Sequence, residues 1–276
     1  MKISIIGTGL LGASVALAAK ESIRDLIVCC YDKSAGVRET ALKLNVCDEA
    51  FDSAASCVKG SDIVIIASPI FTFKELYLEI KDAISTDCIV TDTGSTKTMP
   101  LRWAQAIFGE GSIFIGSHPI AGSEKNGIEN ASSSIIKGAK CIVTEHNDID
   151  KERLGRLLDF WKAIGCETST MSTERHDKLY AVLSHLPHAT AAALLNVADD
   201  EDLTLAGNGF KDVTRIAQGN PEIWEDIFLS NAENVNTGID KLIASLQELK
   251  HAINDRSRAS IASFLTTARD KRSKIR

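Results

Sequence analysis

A glycine turn set between two apolar runs, all within the first 32 residues, constrains this 276-residue chain more than any other feature. Residues 1–6 have the length and apolar character of a buried strand, and Gly7-Thr8-Gly9-Leu10-Leu11-Gly12 follows without a gap. Residues 13–20, rich in Ala and Leu, predict a helix, and the apolar run 26–31 predicts a second strand that stops at Asp32. Strand, glycine turn, helix, strand and acid is the order of a dinucleotide-binding unit. Gly7 permits the tight turn, Gly9 lets the backbone approach a pyrophosphate, and Gly12 lets helix and strand pack closely. Leu10 and Leu11 open a helix whose N-terminal amides and dipole face the phosphates. Asp32 lies 20 residues beyond Gly12, placed to accept from a ribose 2′-hydroxyl. A 2′-phosphate would set about two negative charges beside that carboxylate. NAD is therefore expected over NADP, although Lys33 could turn towards such a phosphate.

The rest of the chain extends this unit into a sheet. Residues 32–60 read as helix and connection, and residues 62–67 form the next buried strand, ending at Ser68-Pro69. Strand ends of this kind present their loops to the ligand of a doubly wound sheet, so Ser68 and Pro69 join the expected cofactor wall. Further strands are expected at 88–91, 112–115, 141–144 and 167–171, with helices at 71–84, 103–108 and 151–164. The character changes near Ser172: 173–199, 210–217, 221–250 and 252–272 all read as helix. The expected fold is α/β, with an N-terminal Rossmann-type, doubly wound, mostly parallel sheet over 1–171 and a C-terminal all-α domain over 172–276.

Composition narrows the function. Hydrophobic content of 44% and charged content of 25% suit a soluble globular chain. A formal charge of −6, from 31 basic and 37 acidic residues, argues against a nucleic-acid surface. No apolar run is long enough to cross a bilayer. The seven cysteines are scattered without a CxxC pair, several in apolar runs, and so read as buried reduced thiols. With a strand already at the N-terminus, no signal peptide is expected, and the cytoplasm is the expected location. The basic run from Arg269 to Arg276 reads as a solvated helix end.

Several residues are suited to chemistry. His118 directly follows an expected strand at the mouth of the dinucleotide sheet, where a neutral imidazole can accept a proton. Ser95 follows another strand at the same crevice and either donates to a substrate oxygen or caps the next helix. His185 and His188 lie three apart on one side of a helix, with Leu179, Val182, Leu183 and Leu186 marking its buried face. Pro187 kinks or loosens that helix, a strain more tolerable where a site needs it. No third ligand is spaced to complete a zinc site, so no metal is expected. Arg215 follows Asp212 by three residues, close enough for an ion pair that would orient the guanidinium towards a carboxylate. Spacing alone equally describes a weak surface salt bridge.

Taken together, GTGLLGAS at 7–14, DTGSTK at 92–97, SHPIAGSEKNG at 117–127, HDKLYAVLSHLPH at 176–188 and FKDVTRIAQGNPEIW at 210–224 resemble the prephenate/arogenate dehydrogenases of tyrosine biosynthesis. The third and fourth motifs, in this order, are the specific ones. The resemblance implies NAD(P)-dependent oxidative decarboxylation of a cyclohexadienyl carboxylate and a homodimer through the helical domain. By motif, His118 looks like the base that takes the ring-hydroxyl proton, with Ser95 its hydrogen-bonding companion. Arg215 and His188 resemble the residues that hold the substrate carboxylates, and Asp212 the supporting acid. Glu124 and Trp224 resemble pocket-lining residues, and His185 is placed with them on the substrate side. Without room for an appended regulatory domain, any inhibition by tyrosine would be competition at the active site. Two other readings compete. One is another Rossmann-plus-helical dehydrogenase acting on a 3-hydroxy acid, which would commonly rely on a lysine missing from SHLPH. The other is a non-catalytic nucleotide-binding protein.

Overall fold

The computed structural model describes residues 1–109, 113–121, 125–146 and 149–275. Five parallel strands build the first sheet: β1 (Lys2–Ile6), β2 (Ile27–Tyr31), β3 (Glu49–Phe51), β4 (Ile63–Ile66) and β5 (Ile89–Asp92), in the order β3-β2-β1-β4-β5. Both faces of these strands are covered, so successive residues feed different cores. Ile5 and Ile65 belong to one buried cluster, Ile6 and Ile66 to the other, which is why the strands read as unbroken apolar runs. The helices between them are α1 (Leu10–Ser22), α2 (Ala35–Lys43), α3 (Ala54–Cys57) and α4 (Phe73–Ile80). Strand order reverses between β1 and β4. That switch point puts a crevice at their carboxyl ends.

After β5 comes α5 (Thr98–Phe108). Residues 113–115 then run beside β5, held by Val90 N–H to Ile113 O and Ile115 N–H to Val90 O, both 2.9 Å. The strand expected at 112–115 is here a single bridge, and Ser112 lies outside the described residues. The chain turns from there into a second sheet of β6 (Ser117–Ile120), β7 (Lys140–Glu145) and β8 (Glu167–Ser172), joined through α6 (Lys151–Ala163). Strands β6 and β7 are antiparallel, β7 and β8 parallel. All seven cysteines are free thiols and buried.

Beyond β8 the described residues hold helices and no strand: α7 (Thr173–Tyr180), α8 (Leu186–Asn196), α9 (Asn208–Thr214), α10 (Pro221–Ser230), α11 (Ala232–Asn254) and α12 (Arg258–Arg272). Pro187 has no N–H and its ring crowds the carbonyl of Leu183. Just there, Ala181–His185 widens into a π turn between α7 and α8. The helix expected over 221–250 is interrupted at the buried Asn231. Contacts group the chain into two compact units, Met1–Asn231 and Ala232–Arg276. Among the described residues no helix is long and apolar enough to cross a membrane.

One expectation about faces fails at two of its four residues, Leu179 and Leu186 being half-buried. Val182 is 49% and Leu183 65% exposed in this chain, whereas the inward face of α7, the π turn and α8 carries His176, Asp177, Ala181, His185 and His188. His176, Asp177 and His185 find hydrogen-bond partners there, and His188 stacks on Trp224.

Candidate active site

The glycine turn is shaped as its sequence demands. Gly7 has φ +93°, and a Cβ there would lie 2.7 Å from the Ala67 carbonyl oxygen. A Cβ on Gly12 would lie 2.1 Å from the Gly7 oxygen, so helix and turn tolerate only glycine at both points. Space beside Gly9 is open for 4 Å. Asp32 accepts Thr8 N–H at Oδ2 and Ser34 N–H at Oδ1, each at 3.0 Å, and so ties the end of β2 to the turn. Its carboxylate keeps spare lone pairs and lines a cavity of about 370 Å³ with Lys33, Glu75 and Glu79. A second cavity, of about 360 Å³, shares Gly9, Ala67, Ser68 and Pro69 with the first. Leu10, Leu11, Ser95, Ala121 and Asp226 are among its walls. Two adjoining cavities bridged over a glycine turn suit the two halves of a dinucleotide. The buried Thr8 Oγ1, without a partner among the described residues, lies in the same turn.

His118 stands on β6, three residues before Ala121 in the second cavity's wall. Its Nδ1 is 2.8 Å from His176 Nε2, and His176 Nδ1 is 2.9 Å from Asp177 Oδ1. The Tyr180 ring packs edge-on at 5.0 Å from His118. Burial, then the neighbouring His176, Lys97 and His185, hold the His118 pKa well below the ordinary histidine value. It is neutral at pH 7. Asp177 in turn accepts Lys97 N–H at 2.8 Å through Oδ1 and Thr98 N–H at 2.9 Å through Oδ2, capping α5 from a distant part of the chain.

The backbone under His118 is pinned as well. Lys97 and Asp92 form a fully buried ion pair. Lys97 Nζ donates to Ser117 O at 2.6 Å while Asp92 Oδ1 accepts Ser117 N–H at 3.1 Å. Both main-chain polar atoms of the residue before His118 are thereby held. Burial raises the Asp92 pKa and lowers that of Lys97, each opposed by the partner's charge.

His188 and Trp224 stack with ring centroids 3.5 Å apart and 11° between planes. His185 Nδ1 lies 3.2 Å from Asn231 Nδ2, whose amide also donates to the Asp177 carbonyl at 2.8 Å. His185 Nε2 and His188 Nδ1 are buried and have no partner among the described residues. Burial lowers both pKa values, that of His185 to about 4.

The expected residues are thus brought together only in part. His118 meets His176 rather than Ser95, which lines the second cavity and makes no hydrogen bond among the described residues. Arg215 is exposed and likewise unpaired there, and no ion pair joins it to Asp212. Both side chains are exposed, where helical spacing by itself does not bring an acid and a base together. Neither Arg215 nor His188 lines the two cavities, and Glu124 lies outside the described residues. Sequence reasoning missed His176, Asp177 and Lys97. A His-Asp pair opening a helix just after the last strand was the only local signal.

Known proteins agree with this architecture. The family model described as prephenate dehydrogenase, nucleotide-binding domain, matches residues 15–170, and that for the prephenate dehydrogenase dimerization domain matches 172–267. The chain is 33% identical over 258 residues to cyclohexadienyl dehydrogenase of Zymomonas mobilis, covering 91% of this chain and 88% of the relative. It is 32% identical over 277 residues to prephenate dehydrogenase of Bacillus subtilis, covering 98% and 75%. The crystal structure of prephenate dehydrogenase from A. aeolicus with hydroxyphenyl propionate and NAD+ superposes with a TM-score of 0.92 at 35% identity, covering 100% of this chain and 98% of that one.

Proposed function

Because the chain belongs to the prephenate dehydrogenase family, we propose that it catalyses the NAD-dependent oxidative decarboxylation of prephenate, arogenate or both. The observation that carries this reading is the pair of cavities sharing Gly9 and Ser68, with Asp32 at one end and the loop after His118 at the other. The A. aeolicus relative, which holds NAD+ and hydroxyphenyl propionate, supports it. Main-chain atoms of Gly7, Gly9, Leu10, Leu11 and Gly12 would hold the pyrophosphate, Asp32 the ribose, and Ser68 and Pro69 the wall between. NAD, when bound, supplies the hydride acceptor. The preference for NAD over NADP rests on Asp32, Glu75 and Glu79 lining one cavity, where three acids outnumber the single cation of Lys33 and a 2′-phosphate would be repelled.

His118 is the base. Neutral at pH 7, it takes the proton of the ring hydroxyl as that carbon loses hydride and becomes a carbonyl. Loss of CO2 from the opposite ring carbon then restores aromaticity. Ser95 steadies the reacting oxygen from the cavity wall. Arg215 takes a substrate carboxylate, with His188, backed by the Trp224 ring, and His185 on the same side. Glu124 belongs to the same proposed pocket. We assign 1–171 to cofactor binding and 172–276 to substrate binding and dimerisation. Exposed Val182 and Leu183 on the first unit, and separately exposed Ile243 and Leu246 on the second, are apolar side chains that a homodimer would cover. Prephenate and arogenate differ by a keto group against an ammonium, so assaying both substrates with both cofactors tests the proposal. NADH formation with at least one substrate is expected, and none with either would refute it.

A further inference from the structure

We infer that His176 and Asp177 are positioning residues that lock His118 in the tautomer able to act as a base, and that this lock is anchored on the N-terminus of α5. The inference rests on the role proposed for His118, but its geometry stands apart from any substrate.

The tautomers follow from one end of the chain of hydrogen bonds. An ionised carboxylate only accepts, and Asp177 is ionised. Burial alone would raise its pKa, yet hydrogen bonds from His176 and Thr98 hold it below the usual carboxylate value. His176 Nδ1, at 2.9 Å from Asp177 Oδ1, is therefore the donor. His176 is neutral at pH 7 because burial outweighs the pull of Asp177 on its pKa. Its Nε2 then carries a lone pair. His118 Nδ1, 2.8 Å away, must donate to it. The proton of neutral His118 is committed to Nδ1, and Nε2 is left with the lone pair that takes a substrate proton. When it does so, the cation formed faces a lone pair on His176, with the Asp177 carboxylate behind.

The anchoring is equally specific. Asp177 receives Lys97 N–H and Thr98 N–H, the free amides that begin α5. The same Lys97 grips Ser117 O through its ammonium. One residue thus fixes both the strand under His118 and the acid at the far end of its lock. The other titratable groups around the two imidazoles are Asp92 from β5, Cys141 from β7, which meets the His118 main chain, Tyr180 from α7 and His185 from the π turn. Among the described residues none of them is hydrogen-bonded to the His118 imidazole.

The test uses full-length protein labelled with 15N in its histidines, with His118→Ala to assign the signals. Wild-type His118 should show a protonated Nδ1 and a bare Nε2. His176→Leu should move the proton to Nε2 or mix the two forms. It should also lower kcat by about 100-fold or more, with KM within about threefold. His176→Gln, which returns an acceptor oxygen near the lost Nε2, should recover about tenfold of that loss. An unchanged His118 tautomer in His176→Leu overturns the lock, as does a loss confined to KM. If the protein turned over no cyclohexadienyl acid at all, the nitrogen spectra would still decide the lock while the proposed function fell alone.

Discussion

The carboxylate of Asp177 caps a helix that begins 79 residues earlier: its Oδ2 accepts the amide of Thr98 at 2.9 Å. Removing that carboxylate orphans two buried-side amides of α5 and the Nδ1–H of His176. Asp177→Ala is expected to lower unfolding stability by about 2 kcal/mol, the upper range for a lost helix cap. Asp177→Asn, which keeps an acceptor oxygen, should lose less. Urea denaturation measures both, and an alanine variant as stable as wild type would contradict the cap.

Gly219 lies against the His188–Trp224 stack. A Cβ there would fall 2.4 Å from Trp224 Nε1 and 3.1 Å from His188 Cε1. Gly219→Ala must push the indole or the imidazole out of register. We expect KM for the cyclohexadienyl substrate to rise about tenfold while kcat changes little, because His118, the proposed base on β6, is untouched. Steady-state kinetics check this; unaltered KM would mean that the stack does not serve substrate binding.

Acid should unfold the protein by a route visible in its histidines. Burial is the leading cause that lowers the pKa of each of His118, His176, His185 and His188. Imidazoles lowered in the folded state stay neutral where the unfolded chain binds protons. Stability is therefore whole above the unfolded value near 6.5 and declines as pH falls below it. His185, lowered from 6.5 to about 4, alone accounts for roughly 3 kcal/mol of that decline. The urea midpoint should drop steadily between about pH 7 and pH 5. A flat midpoint over that window would rule out four buried neutral imidazoles.

Asp32 sets the cofactor preference in this account while also holding Thr8 and Ser34. Asp32→Asn keeps an acceptor for one of those amides but removes the charge. The ratio of kcat/KM for NAD over NADP should fall by about tenfold or more, corresponding to roughly 1.4 kcal/mol of lost discrimination. An unchanged ratio would place cofactor selection elsewhere.

What could be read from the sequence divides along the distance over which each feature is determined. Gly7, Gly12 and Asp32 act on neighbours within one βαβ unit, so spacing alone located the turn, the crevice and the acid. The place of His118 was legible only in part: the strand expected before it is a single bridge, and the residue stands inside β6 of the second sheet, a strand the sequence did not announce. The start of α5 was not: its cap comes from Asp177, and expectation began the helix at 103 instead of Thr98. Three-residue β3 is too short for any periodicity to register. The hydrophobic pattern over 176–188 was right only in part about the inward face: Leu179 and Leu186 are half-buried, but His176, Asp177 and His185 find hydrogen-bond partners inside while Val182 and Leu183 stay outside. Helical spacing likewise paired Asp212 with Arg215, but both side chains lie exposed and make no ion pair among the described residues.

The central claim is that His118 takes the substrate proton, and steady-state kinetics of His118→Ala with NAD and the preferred cyclohexadienyl acid test it most directly. The expected result is kcat lowered by about 1,000-fold with KM within a few-fold of wild type, the mark of an interaction made only in the transition state. Turnover equal to wild type would contradict it.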